Sequence, residues 1–91
     1  MKMTAETVLK AVRELCEKYK ASEIILYGSR AKGTALERSD IDIAVSGVKN
    51  FDALAEAVEQ IPTLYTVDLL DLDSCRNELL LEDIRKYGRK I

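Results

Sequence analysis

The fold is decided by the stretch Gly28-Ser29-Arg30-Ala31-Lys32-Gly33-Thr34-Ala35-Leu36-Glu37-Arg38-Ser39-Asp40-Ile41-Asp42. A small-residue turn follows one apolar run, a short basic segment comes next, and two aspartates open the next apolar run. Residues two apart on a strand share a face, so Asp40 and Asp42 point the same way, about 6.6 to 6.8 Å apart along the chain. At an effective dielectric of about 20 their repulsion costs about 2.5 kcal/mol, so we expect a cation beside them.

The sequence around this stretch predicts three amphipathic helices. In the first, apolar residues recur at the 3.6-residue period between positions 8 and 19. Residues 29–37 allow one or two further helical turns, interrupted at Gly33. The expected caps and stops are Thr4 for the first helix, Asn50 or Asp52 with Pro62 for the next, and Ser74 with Gly88 for the last.

Three short apolar runs predict strands. Residues 24–27 form a run that is too short for a helix, and residues 40–45 alternate, with the isoleucines on one face and the acids on the other. Residues 65–70 form the third run, in which Asp68 is the single acid. An acid within an apolar strand needs a role, because burying an unpaired charge is costly.

The element order αβαβαβα predicts an α/β (α+β) fold in one domain spanning residues 1–91. We expect a three-stranded mixed sheet with about four helices packed chiefly on one face. The first two strands are expected to run antiparallel, and a helical crossover would bring in the third. The face that carries Asp40, Asp42 and Asp68 would then be the open one.

Composition narrows the classes of function. The chain has 91 residues, a formal net charge of −2 and no histidine. The charge argues against direct binding of nucleic acid, and the missing histidine excludes a Ser-His-Asp triad. No run of 18 or more apolar residues is present, and the polar start at residues 1–6 lacks the apolar segment of a signal peptide. We therefore expect a cytoplasmic protein without membrane contact.

The motif Gly28-Ser29, ten residues, Asp40-Ile41-Asp42, with Asp68 on a later strand, resembles the nucleotidyltransferase superfamily typified by DNA polymerase beta. In length and in its opening amphipathic helix the chain is similar to the minimal nucleotidyltransferases, the MNT proteins. The likeness covers nearly the whole chain and implies the polymerase beta-like nucleotidyltransferase fold. One departure is conservative, because Lys32 stands where arginine is common.

The resemblance implies a transferase that moves AMP from ATP to a hydroxyl with the help of two Mg²⁺ ions. Asp40 and Asp42 would hold the metals, and Asp68 would complete the site on the nucleophile side. Four further residues would contact the triphosphate: Gly28, Ser29, Arg30 and Lys32. The plainer interpretation, that Arg30 and Lys32 are solvated side chains and Asp68 a paired acid, remains open.

The resemblance also implies a partner. MNT proteins are typically paired with a HEPN-domain ribonuclease toxin, and members act as antitoxins that adenylylate a tyrosine of that toxin. We therefore expect a hetero-oligomer. Two alternatives stay open: a non-catalytic antitoxin that occludes its partner, and a transferase to a small-molecule hydroxyl.

Overall fold

The computed structural model describes residues 4–91, so part of the polar start that argues against a signal peptide lies outside the described residues. The elements follow the predicted order with one addition at the C-terminal end. They are α1 (Ala5–Lys18), β1 (Glu23–Tyr27), α2 (Ser29–Lys32), β2 (Ile41–Ser46), α3 (Phe51–Glu59), β3 (Val67–Asp71), α4 (Glu78–Tyr87) and β4 (Arg89–Lys90).

The sheet is mixed, as predicted, but has four strands in the order β3-β2-β1-β4. β1 runs antiparallel to β2 and to β4, whereas β2 and β3 run parallel. The prediction of three strands was therefore wrong by one. β4 consists of Arg89 and Lys90 alone, which have no apolar alternation, and it pairs with β1 because the end of α4 delivers it to that edge.

The main core lies between one face of the sheet and the helices α1 and α3. The residues that fill it alternate along β1 and β2, so every second side chain points inward, as the sequence predicts for β2. The buried members are Val8, Val12, Cys16, Ile24, Leu26, Ile41, Ile43, Val45, Leu54 and Val58.

The helix α4 covers part of the opposite face. Ile25 lies between the inward-facing residues of β1, so its side chain points to this opposite face. A Cβ on Gly88, at the end of α4, would stand 2.6 Å from Ile25 Cγ2, so the end of α4 packs closely against Ile25. Ile84 of α4 is buried outside the main core cluster, and Ala44 on the same face as Asp42 has no exposed surface. The face predicted to be open is therefore partly covered by α4, and Asp68 at its acidic end is exposed.

The helix caps follow the sequence at two of three positions. The Thr7 N–H donates to Thr4 Oγ1 at 3.1 Å, and the Ala53 N–H donates to Asn50 Oδ1 at 3.1 Å. The last helix is capped by Asn77 rather than Ser74, because Ser74 belongs to a turn and donates its hydroxyl to the Asp71 carbonyl. Within residues 4–91, no helix has the length and apolar character needed to cross a bilayer.

Candidate active site

The two central acids face each other across the parallel strands. Asp42 of β2 is in register with Asp68 of β3, and neighbouring strands lie about 4.8 Å apart, so the two carboxyl groups share one face at close range. Burial raises the pKa of Asp42, and the negative charges of Asp68 and Asp40 raise it further. Asp40 itself directly precedes β2 and is exposed, as Asp68 is. The structure thus brings the three predicted acids together.

Tyr27 is a neighbour of this site that the sequence analysis did not identify. It is the last residue of β1 and is in register with Asp42 on the antiparallel neighbour. Burial, followed by the charges of Asp42, Asp68 and Cys75, raises the pKa of Tyr27 to about 12. The sequence contains a signal for this contact, since Tyr27 directly precedes Gly28 and an antiparallel pair places the end of β1 beside the start of β2.

Gly28 forms the corner between β1 and α2, and only glycine fits there. Its φ is +75°, in the region that side chains rarely adopt, and a Cβ at this position would collide with Asp42 Oδ2. The Gly28 carbonyl accepts hydrogen bonds from the Ala31 and Lys32 N–H groups, both at 3.1 Å, which begins the short helix at Ser29. The glycine corner therefore lies directly against Asp42.

Arg30 extends from α2 to the loop that precedes β2. Its Nε and Nη2 donate to the Ser39 carbonyl at 3.2 and 2.9 Å, and Nη2 also donates to the Glu37 carbonyl at 3.1 Å. Its Cζ lies 5.2 Å from the centroid of the Tyr65 ring, within the range of a cation–π contact. The described contacts of Arg30 are thus with the protein's own backbone and with one aromatic ring.

Lys32 connects α2 to α4. Its Nζ lies 2.9 Å from Asp83 Oδ1 and 5.1 Å from the centroid of the Tyr87 ring. Nothing in the sequence connects Asp83 or Tyr87 with the site, because no local pattern indicates contacts between residues 51 and 55 positions apart. The predicted contacts of Arg30 and Lys32 with nucleotide remain predictions.

The donor set suits a metal that is bound together with a substrate. Among residues 4–91, no group of three or more acidic or cysteine side chains forms a ready metal cage. Mg²⁺ is ordinarily held by one or two carboxylates together with substrate phosphates and waters, and a divalent cation offsets the mutual repulsion of two facing carboxylates. Asp42 and Asp68, with Asp40 beside them, fit that mode of binding.

Comparison with known proteins decides the family. The model of the family described as "Polymerase beta, Nucleotidyltransferase" matches residues 10–91. The chain belongs to the polymerase beta nucleotidyltransferase family. It is a nucleotidyltransferase of the minimal, MNT type, as the sequence motifs predict, and it has the fold of that family.

Three relatives of this nucleotidyltransferase are informative. A Methanocaldococcus jannaschii protein, named as a candidate protein adenylyltransferase, is 34% identical over 87 residues, which cover 89% of this chain and 87% of that protein. A crystal structure of a toxin-antitoxin with AMP-PNP matches with a TM-score of 0.65 and 28% identity, over 89% of this chain and 69% of the other. The structure of a candidate minimal nucleotidyltransferase matches with a TM-score of 0.60 and 27% identity, over 98% and 95% of the two chains.

Proposed function

We propose that this nucleotidyltransferase moves AMP from ATP to a hydroxyl of a partner protein in a Mg²⁺-dependent reaction, and that it is the antitoxin of a HEPN-domain toxin. The observation that carries the proposal is the register of Asp42 and Asp68 beside the Gly28 corner. The relatives support it, because one is named for protein adenylylation and another is a toxin-antitoxin structure with an ATP analogue.

The reaction exchanges a phosphoanhydride bond of ATP for a phosphate ester bond to the acceptor. The acceptor oxygen forms a bond to the α-phosphorus, the bond from that phosphorus to the bridging oxygen of the β-phosphate breaks, and pyrophosphate leaves. Asp68, the exposed member of the acid pair, would take the proton of the incoming hydroxyl. Mg²⁺, held by Asp40, Asp42 and Asp68, would supply positive charge to the developing negative charge on the phosphates.

The glycine corner would receive the triphosphate. Gly28 has no Cβ, so a phosphate can approach its backbone, and the amide and hydroxyl of Ser29 are hydrogen-bond donors at the next position. Lys32 would neutralise phosphate charge from the other end of α2. Its present ion pair with Asp83 would then compete with the nucleotide for the ammonium group.

The experiment combines purified protein, α-labelled ATP, Mg²⁺ and the purified toxin partner. We expect label on the toxin with the wild type and loss of at least about a hundredfold in transfer with Asp42→Asn or Asp68→Asn, a typical cost of losing an electrostatic or acid–base group. Asp52→Asn removes an exposed carboxylate at the start of α3 and serves as the matched control.

Two other results would overturn the proposal, and each would indicate a different function. A wild type that inhibits the toxin without transferring label, with equal inhibition by Asp42→Asn, would establish occlusion as the mechanism. Label that appears only on small-molecule alcohols offered in place of the toxin would establish a small-molecule acceptor.

A further inference from the structure

We infer that Arg30 is a positioning residue that holds the loop carrying Ser39 and Asp40 against α2, and so fixes Asp40 beside the glycine corner and the acids that the strands position. The inference goes beyond the proposed function in assigning a structural mechanism to Arg30, and it rests on that function only for the kinetic part of its test. It differs from the predicted role of Arg30 as a direct contact to nucleotide.

The geometry of the guanidinium supports a structural role. Three hydrogen bonds run from two of its nitrogens to two carbonyl oxygens, those of Ser39 and Glu37. A planar fork that donates in several directions is a property of arginine that lysine does not share. To contact a phosphate, Arg30 would have to give up these bonds, whereas positioning uses them as they stand.

Arg30 lies where the three segments of the site meet. It belongs to α2, directly after Gly28 and Ser29, and it binds the carbonyl of the residue before Asp40. Its guanidinium also stacks over Tyr65, two residues before β3 begins. One side chain therefore touches each segment that carries a proposed site residue.

The loop between α2 and β2 depends on this side chain. The other hydrogen bonds of residues 35–39 close the loop on itself: the Leu36 N–H donates to Ser39 Oγ at 2.8 Å, and the Ser39 N–H donates to the Leu36 carbonyl at 3.1 Å. Leu36 is 78% exposed, so it provides little packing. Within residues 4–91, the hydrogen bonds that join residues 35–39 to the rest of the domain all come from Arg30.

The first arm of the test measures the loop without any reaction. An arginine-specific protease cuts after Arg38, and for a fast local opening the initial rate follows the population of the open loop. We expect Arg30→Ala to raise that rate at least about tenfold, since hydrogen bonds from a charged donor are among the stronger ones. Arg30→Lys should give an intermediate rate, because one ammonium cannot reproduce the fork. Arg13→Ala removes an exposed arginine of α1 and should leave the rate unchanged.

The second arm separates positioning from nucleotide binding. Positioning predicts a lower kcat and a higher Mg²⁺ concentration for half-maximal transfer in Arg30→Ala, with the KM for ATP changed less than about threefold. A nucleotide ligand predicts the reverse, a raised KM with unchanged cleavage after Arg38. That reverse pattern would overturn the inference.

The two arms fail separately. A protein without transferase activity refutes the proposed function, but the cleavage rates still decide the role of Arg30. If Arg30→Ala does not fold, Arg30→Lys and Tyr65→Leu replace it, the latter removing the stacked ring while keeping an apolar side chain against the core. Cleavage rates equal to the wild-type rate in both replacements would overturn the inference.

Discussion

Replacing one of the two facing acids is expected to stabilise the protein while it removes activity. The perturbation is Asp42→Asn, which keeps the size of the side chain and removes its charge. Two unit charges about 4.8 Å apart repel by about 3.5 kcal/mol at a dielectric of about 20 and by about 0.9 kcal/mol in bulk water. Asp68 is exposed and Asp42 is half-buried, so we take the lower part of this interval, about 1 to 2 kcal/mol.

The assay is thermal unfolding followed by circular dichroism, at pH 7 and with EDTA present. For a domain of this size 1 kcal/mol corresponds to about 4 to 8 °C in Tm, so Asp42→Asn should unfold at least about 4 °C above the wild type. Asp52→Asn, which lies outside the acid cluster, should change the free energy of unfolding by no more than about 0.5 kcal/mol.

The pH dependence of stability independently checks that the charge on Asp42 destabilises the fold. Burial and the charges of Asp68 and Asp40 raise the pKa of Asp42 in the folded protein above its unfolded value of about 3.9. The stability linked to the protonated carboxyl is therefore complete below about pH 3.9 and is lost as the pH rises through the raised folded pKa. The advantage of Asp42→Asn should accordingly shrink when the pH is lowered from 7 towards 4.

Two results would refute this reasoning. An Asp42→Asn variant that unfolds at or below the wild-type temperature in EDTA would show that the pair is not repulsive. An advantage that stays constant with pH would show that the charge of Asp42 is not its source. With Mg²⁺ and a non-hydrolysable ATP analogue the order of the two proteins should reverse, because only the intact acid set gains from binding.

Three further predictions test the corner, the thiols and the last helix. Gly28→Ala should lose transfer activity and more stability in urea unfolding than Gly33→Ala, because both have positive φ but only the former places a Cβ against Asp42; equal losses would contradict this. Cys16 has no exposed surface and burial raises its pKa to about 11, so a thiol reagent at pH 8 should label Cys75 alone until denaturant is added. Asn77→Ala should cost about 1 kcal/mol of stability, measurable as a lower Tm, because the Asn77 side chain caps α4.

The sequence predicts most of the fold because its periods are clear. Alternation in β2 and the 3.6-residue spacing in α1 each reflect a single buried face, and both predictions are confirmed. The strand β4 has two polar residues, so its pairing follows from where α4 ends and from no pattern of its own. The start of α4 was misplaced because Ser74 and Asn77 are both good caps, and the turn after β3 selects the second.

The candidate site, like the fold, could be predicted from the sequence only in part. The spacing of Asp40 and Asp42 follows from the strand period, so their shared face is visible in the sequence. The contacts of Arg30 with Ser39 and of Lys32 with Asp83 bridge segments whose approach is set by tertiary packing. Sequence reasoning can therefore name the acids, but the partners of the basic residues become visible only in three dimensions.

The topology of the sheet explains why the site can exist in so small a domain. Gly28 follows the end of β1, and Asp42 is the second residue of β2, so only antiparallel pairing brings that end and that start together. Asp68 is likewise the second residue of its strand. Because β3 runs parallel to β2, Asp68 lies level with Asp42. Reversing the β1–β2 pairing would move the glycine corner to the far end of the sheet, and reversing the β2–β3 pairing would move Asp68 there. The mixed sheet is thus the condition for assembling the acids and the glycine corner at one edge, and the helical crossover through α3 makes the parallel pair possible.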